Sequence, residues 1–212
     1  MRISDILNES VISVSLTHTD KTGIIEELLD LAMKSGHVTD RANTLKAILD
    51  REALMSTGLE RGIAIPHARS ATATDICMAL GLSKQGVDFD SADGEPSHIL
   101  FLLLAPEKAA GQNVQLLGQI ARLASDQAFV SALKSAGSAE EAYQVIRDAE
   151  SLRSPVRNAK GPITLPFFNF LFSITLNSMV HPSGTSASMI LTWGPIWHRF
   201  PIRVLPKRVT PG

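Results

Sequence analysis

The chain has 212 residues, 44% of them hydrophobic and 19% charged, with a formal net charge of −1, which suits one folded domain of ordinary size plus an appendage. All 21 acidic residues and 13 of the 20 basic ones lie in residues 1–150, whereas residues 151–212 carry 7 basic residues and no acid. An acidic body argues against a nucleic-acid-binding one, and a single cysteine, Cys77, excludes an internal disulfide and fits a reducing, cytoplasmic setting.

Residues 1–15 lack the charged start and apolar block of a secretory leader. Ile3, Ile6 and Leu7 predict a helical turn, and the alternation over residues 11–16 predicts a strand. Asp20 caps a helix running to about Gly36, with Ile24, Ile25, Leu28, Leu29 and Ala32 on one face. A second helix covers residues 40–54, with Leu45, Ile48 and Leu49 inward. Thr57 and Glu60 have capping-box spacing, but no apolar helix follows them, so that match is discounted. Residues 63–65 form a short apolar run, and residues 75–82 read as a strand. A turn-rich link spans residues 86–96. Residues 99–105 (ILFLLLA) are nearly continuously apolar, which predicts a central strand covered on both faces. Pro106 stops it, and a loop over residues 107–111 leads to a helix over residues 113–125. Asp126 opens a short helix, and Ser138 with Glu141 forms a capping box for the last one, residues 139–149. The mixed order predicts an α/β domain over residues 1–150, with a small mixed β-sheet sandwiched between helical layers.

Residues 56–70 read STGLERGIAIPHARS. A histidine, His67, follows a proline after a short strand-like run flanked by Gly58 and Gly62, a placement that suits either a turn or chemistry. The stretch STG followed by GIAIPHA resembles the phosphorylation motif of enzyme IIA domains of the fructose, mannitol and nitrogen type, from the bacterial phosphoenolpyruvate-dependent phosphotransferase system. The resemblance covers about the first 150 residues. It implies that His67 carries a phosphoryl group, as a phosphohistidine intermediate, and it implies the same α/β sandwich.

Phosphoryl relay needs a nucleophile that accepts and later releases the group, which neutral imidazole does near neutral pH. It also needs a held second ring nitrogen and donors for three charged oxygens. Arg51 in Asp50-Arg51-Glu52 resembles the family's "RE" element and is assigned to phosphoryl-charge stabilisation, its bland alternative being a surface pair with Glu52 or Asp50. Ser56 and Thr57 are hydroxyl-donor candidates or turn residues, and Arg69 is a candidate second phosphate or partner contact. Many relatives carry a second histidine after the apolar strand. Asn113 falls at that position here, with Gln112 and Gln115 as alternatives, and an asparagine donates a hydrogen bond without titrating. His98 reads as a structural residue at a strand edge, and His18 and His37 as capping residues near helix ends. No spacing resembles a zinc site, a phosphate-binding loop or a dinucleotide fingerprint, so no metal or cofactor is expected.

Residues 151–212 differ in kind, with 8 of the 11 prolines and 7 of the 11 aromatic residues. Their uncharged stretch over residues 163–180 has the minimum length for a membrane helix, but Pro166, Asn169 and Asn177 interrupt it. The preferred reading is an extension outside the domain, of the kind read-through or a shifted reading frame produces. For the body, two functions fit the resemblance. One is a phosphocarrier that takes phosphate from the histidine-containing phosphocarrier protein and passes it to a separate enzyme IIB. The other is a nitrogen-type regulator whose phosphorylation controls binding to a kinase, transporter or regulator. Either meets membranes only through partners.

Overall fold

The computed structural model describes residues 1–152. The sequence readings for the tail lie outside the described residues, apart from Ser151 and Leu152, which end the last helix. Two 3₁₀ turns, Ile3–Asp5 and Glu9–Val11, lead into strand β1 (Ile12–Ser13). Helices α1 (Lys21–Met33) and α2 (Arg41–Leu54) follow. Strands β2 (Ile63–Ala64), β3 (His67–Arg69), β4 (Cys77–Val87) and β5 (Ser97–Ala105) come next. A 3₁₀ turn, Glu107–Ala109, then enters α3 (Ala110–Ala124), α4 (Gln127–Lys134) and α5 (Ala139–Leu152).

Side-chain oxygens cap every α-helix but α3, whose N-cap Ala109 makes no side-chain cap bond. The carboxylates of Asp20, Asp40 and Asp126 accept from Gly23, Asn43 and Ala128 backbone N–H groups, filling orphan donors of α1, α2 and α4. Ser138 Oγ accepts from Glu141 N–H at 3.1 Å, as the expected box requires. Glu141 departs from it, because its carboxylate reaches one residue further back to Gly137 N–H.

The sheet runs β1-β4-β5, with β2 and β3 both along the outer side of β5. Only the β4–β5 pair is antiparallel, so the sheet is mixed, as the element order predicts. Strand β5 is covered on both faces. Ile99, Phe101, Leu103 and Ala105 join the core under α3, α4 and α5, while Leu100, Leu102 and Leu104 join the core under α1 and α2. Each of these buried side chains except Ala105 contributes about 1.5–3 kcal/mol.

Three features differ from the sequence reading. Strand β4 runs on to Val87, because a register shift between Leu82 and Val87 lets Val87 still pair with Ser97. Helix α3 begins at Ala110, since the 3₁₀ turn after Pro106 continues directly into it, making Asn113 its fourth residue. Phe89, in the turn-rich link, is fully buried against the α1 and α2 core. No helix among the described residues is long and apolar enough to cross a membrane.

Candidate functional site

The site is built on a broken edge strand. Strands β2 and β3 pair in parallel with one strand, Ile63 opposite Ile99 and His67 opposite Leu103. Between them Pro66 has no N–H for the ladder, although its carbonyl still accepts from Leu103 N–H at 3.0 Å. Ile65 is turned away from β5. Its N–H donates to the Thr57 carbonyl at 3.0 Å, and its carbonyl accepts from His67 Nδ1 at 2.8 Å. A carbonyl only accepts, so Nδ1 carries the proton and Nε2 the lone pair of the neutral ring. The histidine therefore lies within a strand rather than just past one.

Ala68 packs into the α1–α2 core, and His67 and Arg69 flank it along β3. Both line a cleft of about 230 Å³ with Asp50, Arg51 and Leu54 of α2. His67 is only 4% exposed. Burial, and then the nearby Arg51 cation, push its imidazole down to about 4, against the opposing effect of the Ile65 carbonyl. The ring is thus neutral throughout the physiological range. Arg51 Nη1 donates to the Met55 carbonyl at 3.0 Å. Its Nη2 is buried and meets no acceptor among the described residues. A guanidinium so held has one face committed to the fold and one nitrogen to spare for an anion.

The remaining sequence candidates sit elsewhere. Ser56 Oγ donates to the Phe89 carbonyl and accepts from Gly58 N–H at 3.1 Å. Thr57 is fully buried, with its hydroxyl on Glu52 Oε2 at 2.6 Å and its N–H on Glu52 Oε1 at 3.0 Å. Both residues hold the loop, and neither lines the cleft. Thr57→Val is expected to lower stability by about 1–3 kcal/mol in denaturant unfolding, because a buried carboxylate loses a donor. Asn113 is 2% exposed and its Oδ1 meets no donor among the described residues. It does not line the cleft, but α3 packs on the sheet face of Leu103, which is the register partner of His67.

The sequence places Glu52 in the "RE" element and as a surface partner for Arg51. It is instead a buried anchor for Thr57 and Lys21, with Lys21 Nζ 3.0 Å from its Oε1. Besides that element, its sequence signal is an acid in the last turn of an otherwise amphipathic helix. His98 keeps a structural role, its Nδ1 on the Ser83 carbonyl at 2.9 Å. His18 pairs with Glu27 at 3.1 Å.

Residues 5–149 match the family described as phosphoenolpyruvate-dependent sugar phosphotransferase system, EIIA 2. The chain is 38% identical over 120 residues to the fructose-specific EIIA component of Haloferax volcanii, covering 57% of this chain and 78% of that protein. It is 34% identical over 152 residues to a nitrogen regulatory protein of Pseudomonas aeruginosa, covering 71% and 98%. Against the fructose-specific EIIABC component of Bacillus subtilis it is 37% identical over 123 residues, but it spans only 19% of that longer protein. Among solved structures, the nitrogen regulatory protein IIA-Ntr of Neisseria meningitidis superposes with a TM-score of 0.64 at 32% identity, over 68% of this chain and 98% of that one. The fold expected from element order is the fold of these relatives. The chain belongs to the EIIA 2 family of the phosphoenolpyruvate-dependent sugar phosphotransferase system, whose members are phosphoryl-carrying components.

Proposed function

We propose that the chain carries its phosphoryl group on His67 Nε2, taking it from the phosphohistidine of the histidine-containing phosphocarrier protein and passing it to a cysteine or histidine of an enzyme IIB. The observation that carries this reading is the 2.8 Å contact between Nδ1 and the Ile65 carbonyl, which reserves Nδ1 for the proton. The Nε2 lone pair attacks phosphorus as the donor's P–N bond breaks, and that bond's electron pair returns to the donor imidazole. The His67 ring gains positive character in the exchange, and the Ile65 carbonyl stabilises it through the Nδ1 proton. Arg51 Nη2 meets the phosphoryl oxygens where charge collects, with Arg69 as a second cation at the same cleft. Asn113 orients the group or contacts an oxygen without moving a proton. Ser56 and Thr57 serve through the loop they hold. Onward transfer repeats the exchange with the acceptor's nucleophile in place of Nε2.

A regulatory reading draws on the 98% coverage of the Pseudomonas nitrogen regulatory protein. In it the same His67 chemistry governs binding to a kinase, transporter or regulator. Incubation with phosphoenolpyruvate, enzyme I and the phosphocarrier tests the shared step. Wild type is expected to take up acid-labile phosphate and His67→Ala none. Equal, acid-stable labelling of both would contradict the assignment. Discharge of the labelled protein by an enzyme IIB favours transport over regulation.

A further inference from the structure

Two chains of contacts leave the carboxylate of Glu52 and end at the two residues that face each other across the cleft. The first runs through Thr57. Glu52 accepts both Thr57 donors, at 3.0 and 2.6 Å; the Thr57 carbonyl accepts from Ile65 N–H at 3.0 Å; the Ile65 carbonyl accepts from His67 Nδ1 at 2.8 Å. The second runs through the turn that Thr57 closes. Helix α2 stops at Leu54, Met55 is extended, and the Met55 carbonyl takes Arg51 Nη1 at 3.0 Å. Pinning Thr57 back onto the last turn of α2 therefore fixes where the Met55 carbonyl stands. Glu52 is 8% exposed and Thr57 is fully buried, so water does not replace these bonds.

We propose that Glu52 is a positioning residue for phosphoryl transfer: its carboxylate sets the tilt of the His67 ring and the reach of the Arg51 guanidinium together, through Thr57. The proposal rests on His67 being the phosphoryl acceptor. Arg51 and His67 sit on different elements, a helix end and an edge strand. A common clamp keeps nucleophile and cation in register when a partner docks. Lys21, 3.0 Å from Glu52 Oε1 and 2.7 Å from Asp90, supplies the countercharge at the carboxylate where both chains begin.

The test compares Glu52→Gln with Lys21→Met. Both disturb the same buried pair, but only the first removes an acceptor from Thr57. Glu52→Gln is expected to lower kcat for transfer from the phosphorylated phosphocarrier about 10–100-fold, as small misplacements of reacting groups do, with KM little changed. Lys21→Met is expected to lose stability while keeping kcat within about threefold, a far smaller effect than misplacing a reacting group. A second readout is the His67 titration followed by NMR. Loss of a nearby carboxylate acting only by its charge lowers an imidazole pKa. Retreat of the Arg51 cation raises it. Asp50 and Arg69, the other charged groups at the cleft, are common to both variants.

A rise in the His67 pKa in Glu52→Gln, absent in Lys21→Met, is the expected result. An unchanged or lowered pKa, or equal kcat losses in the two variants, overturns the proposal. If Glu52→Gln does not fold, Thr57→Val keeps one of the two bonds and is expected to shift the pKa in the same direction by less; no shift overturns the proposal equally. The titration uses no phosphoryl donor, so it reads the positioning even where labelling shows another acceptor.

Discussion

Arg51→Ala is expected to slow phosphoryl transfer by about 10²–10³-fold while the protein stays folded, the loss typical of removing one preorganised donor at a charged transition state. Arg51 Nη2 is the buried donor at the cleft that meets no acceptor among the described residues, whereas Nη1 is tied to Met55. Burial holds the guanidinium below its ordinary pKa, with Glu52 opposing that shift, so the fold bears a cost in keeping the cation there and loses little when it goes. Arg51→Lys is expected to recover only part of the rate, because an ammonium lacks the planar fork that reaches Met55 and the phosphoryl oxygens at once. Rapid-quench transfer from the phosphorylated phosphocarrier checks both variants. A rate within about threefold of wild type for Arg51→Ala would fall far short of a lost donor and place the cation outside the reaction.

Acid is expected to remove about 3 kcal/mol of stability through His67 alone. Its pKa is pushed down to about 4 in the folded protein, against roughly 6.5 in the unfolded chain. Between those values the unfolded state binds the proton and the folded state does not. Stability therefore rises with pH across that window, is undiminished by this group above it, and is lost as pH falls from about 6.5 to about 4. Asp5, Glu27, Asp40 and Asp93, whose carboxyls are held below their ordinary range, also lose stability as acid protonates them. The comparison is thus with His67→Asn, which keeps a donor near Nδ1 and has no proton to gain. Urea unfolding at a series of pH values should give a flatter curve for the variant between about pH 6.5 and 4. Parallel curves would mean that His67 is not buried as a neutral ring. The same neutrality predicts that the nucleophile stays competent well below pH 6.

Much of the fold is legible because its causes are local. Asp20, Asp40 and Asp126 stand where their helices begin, and each does cap. The continuous apolar run of β5 announces a strand with two covered faces, and two cores flank it. What stays hidden depends on pairing across the chain. Nothing near Pro66 says that the residues on either side of it share β5 as a neighbour, so His67 reads as a residue past a strand. Phe89 sits among turn formers, yet its ring lies 5.2 Å from Lys21 Nζ and its carbonyl holds Ser56.

The site divides in the same way. The motif around His67 and the Arg51-Glu52 pair point to phosphoryl chemistry through resemblance to a family. The clamp by Glu52 follows from the chain turning back after Leu54, a reversal that brings Thr57 onto a carboxylate five residues earlier. Ser56 and Thr57 are of the residue types that contact phosphate and also of the types that fasten turns. Their partners decide between the two, and the partners lie at Phe89 and Glu52.

The proposed transfer runs through Nε2 of His67 as the phosphorylated atom. ³¹P and ¹⁵N NMR of ring-labelled protein, phosphorylated through enzyme I and the phosphocarrier, identifies that atom directly. The expected result is a phosphorus–nitrogen coupling to Nε2 of His67, with the Nδ1 proton retained toward the Ile65 carbonyl. A coupling to Nδ1, or phosphate on any residue other than His67, would contradict it.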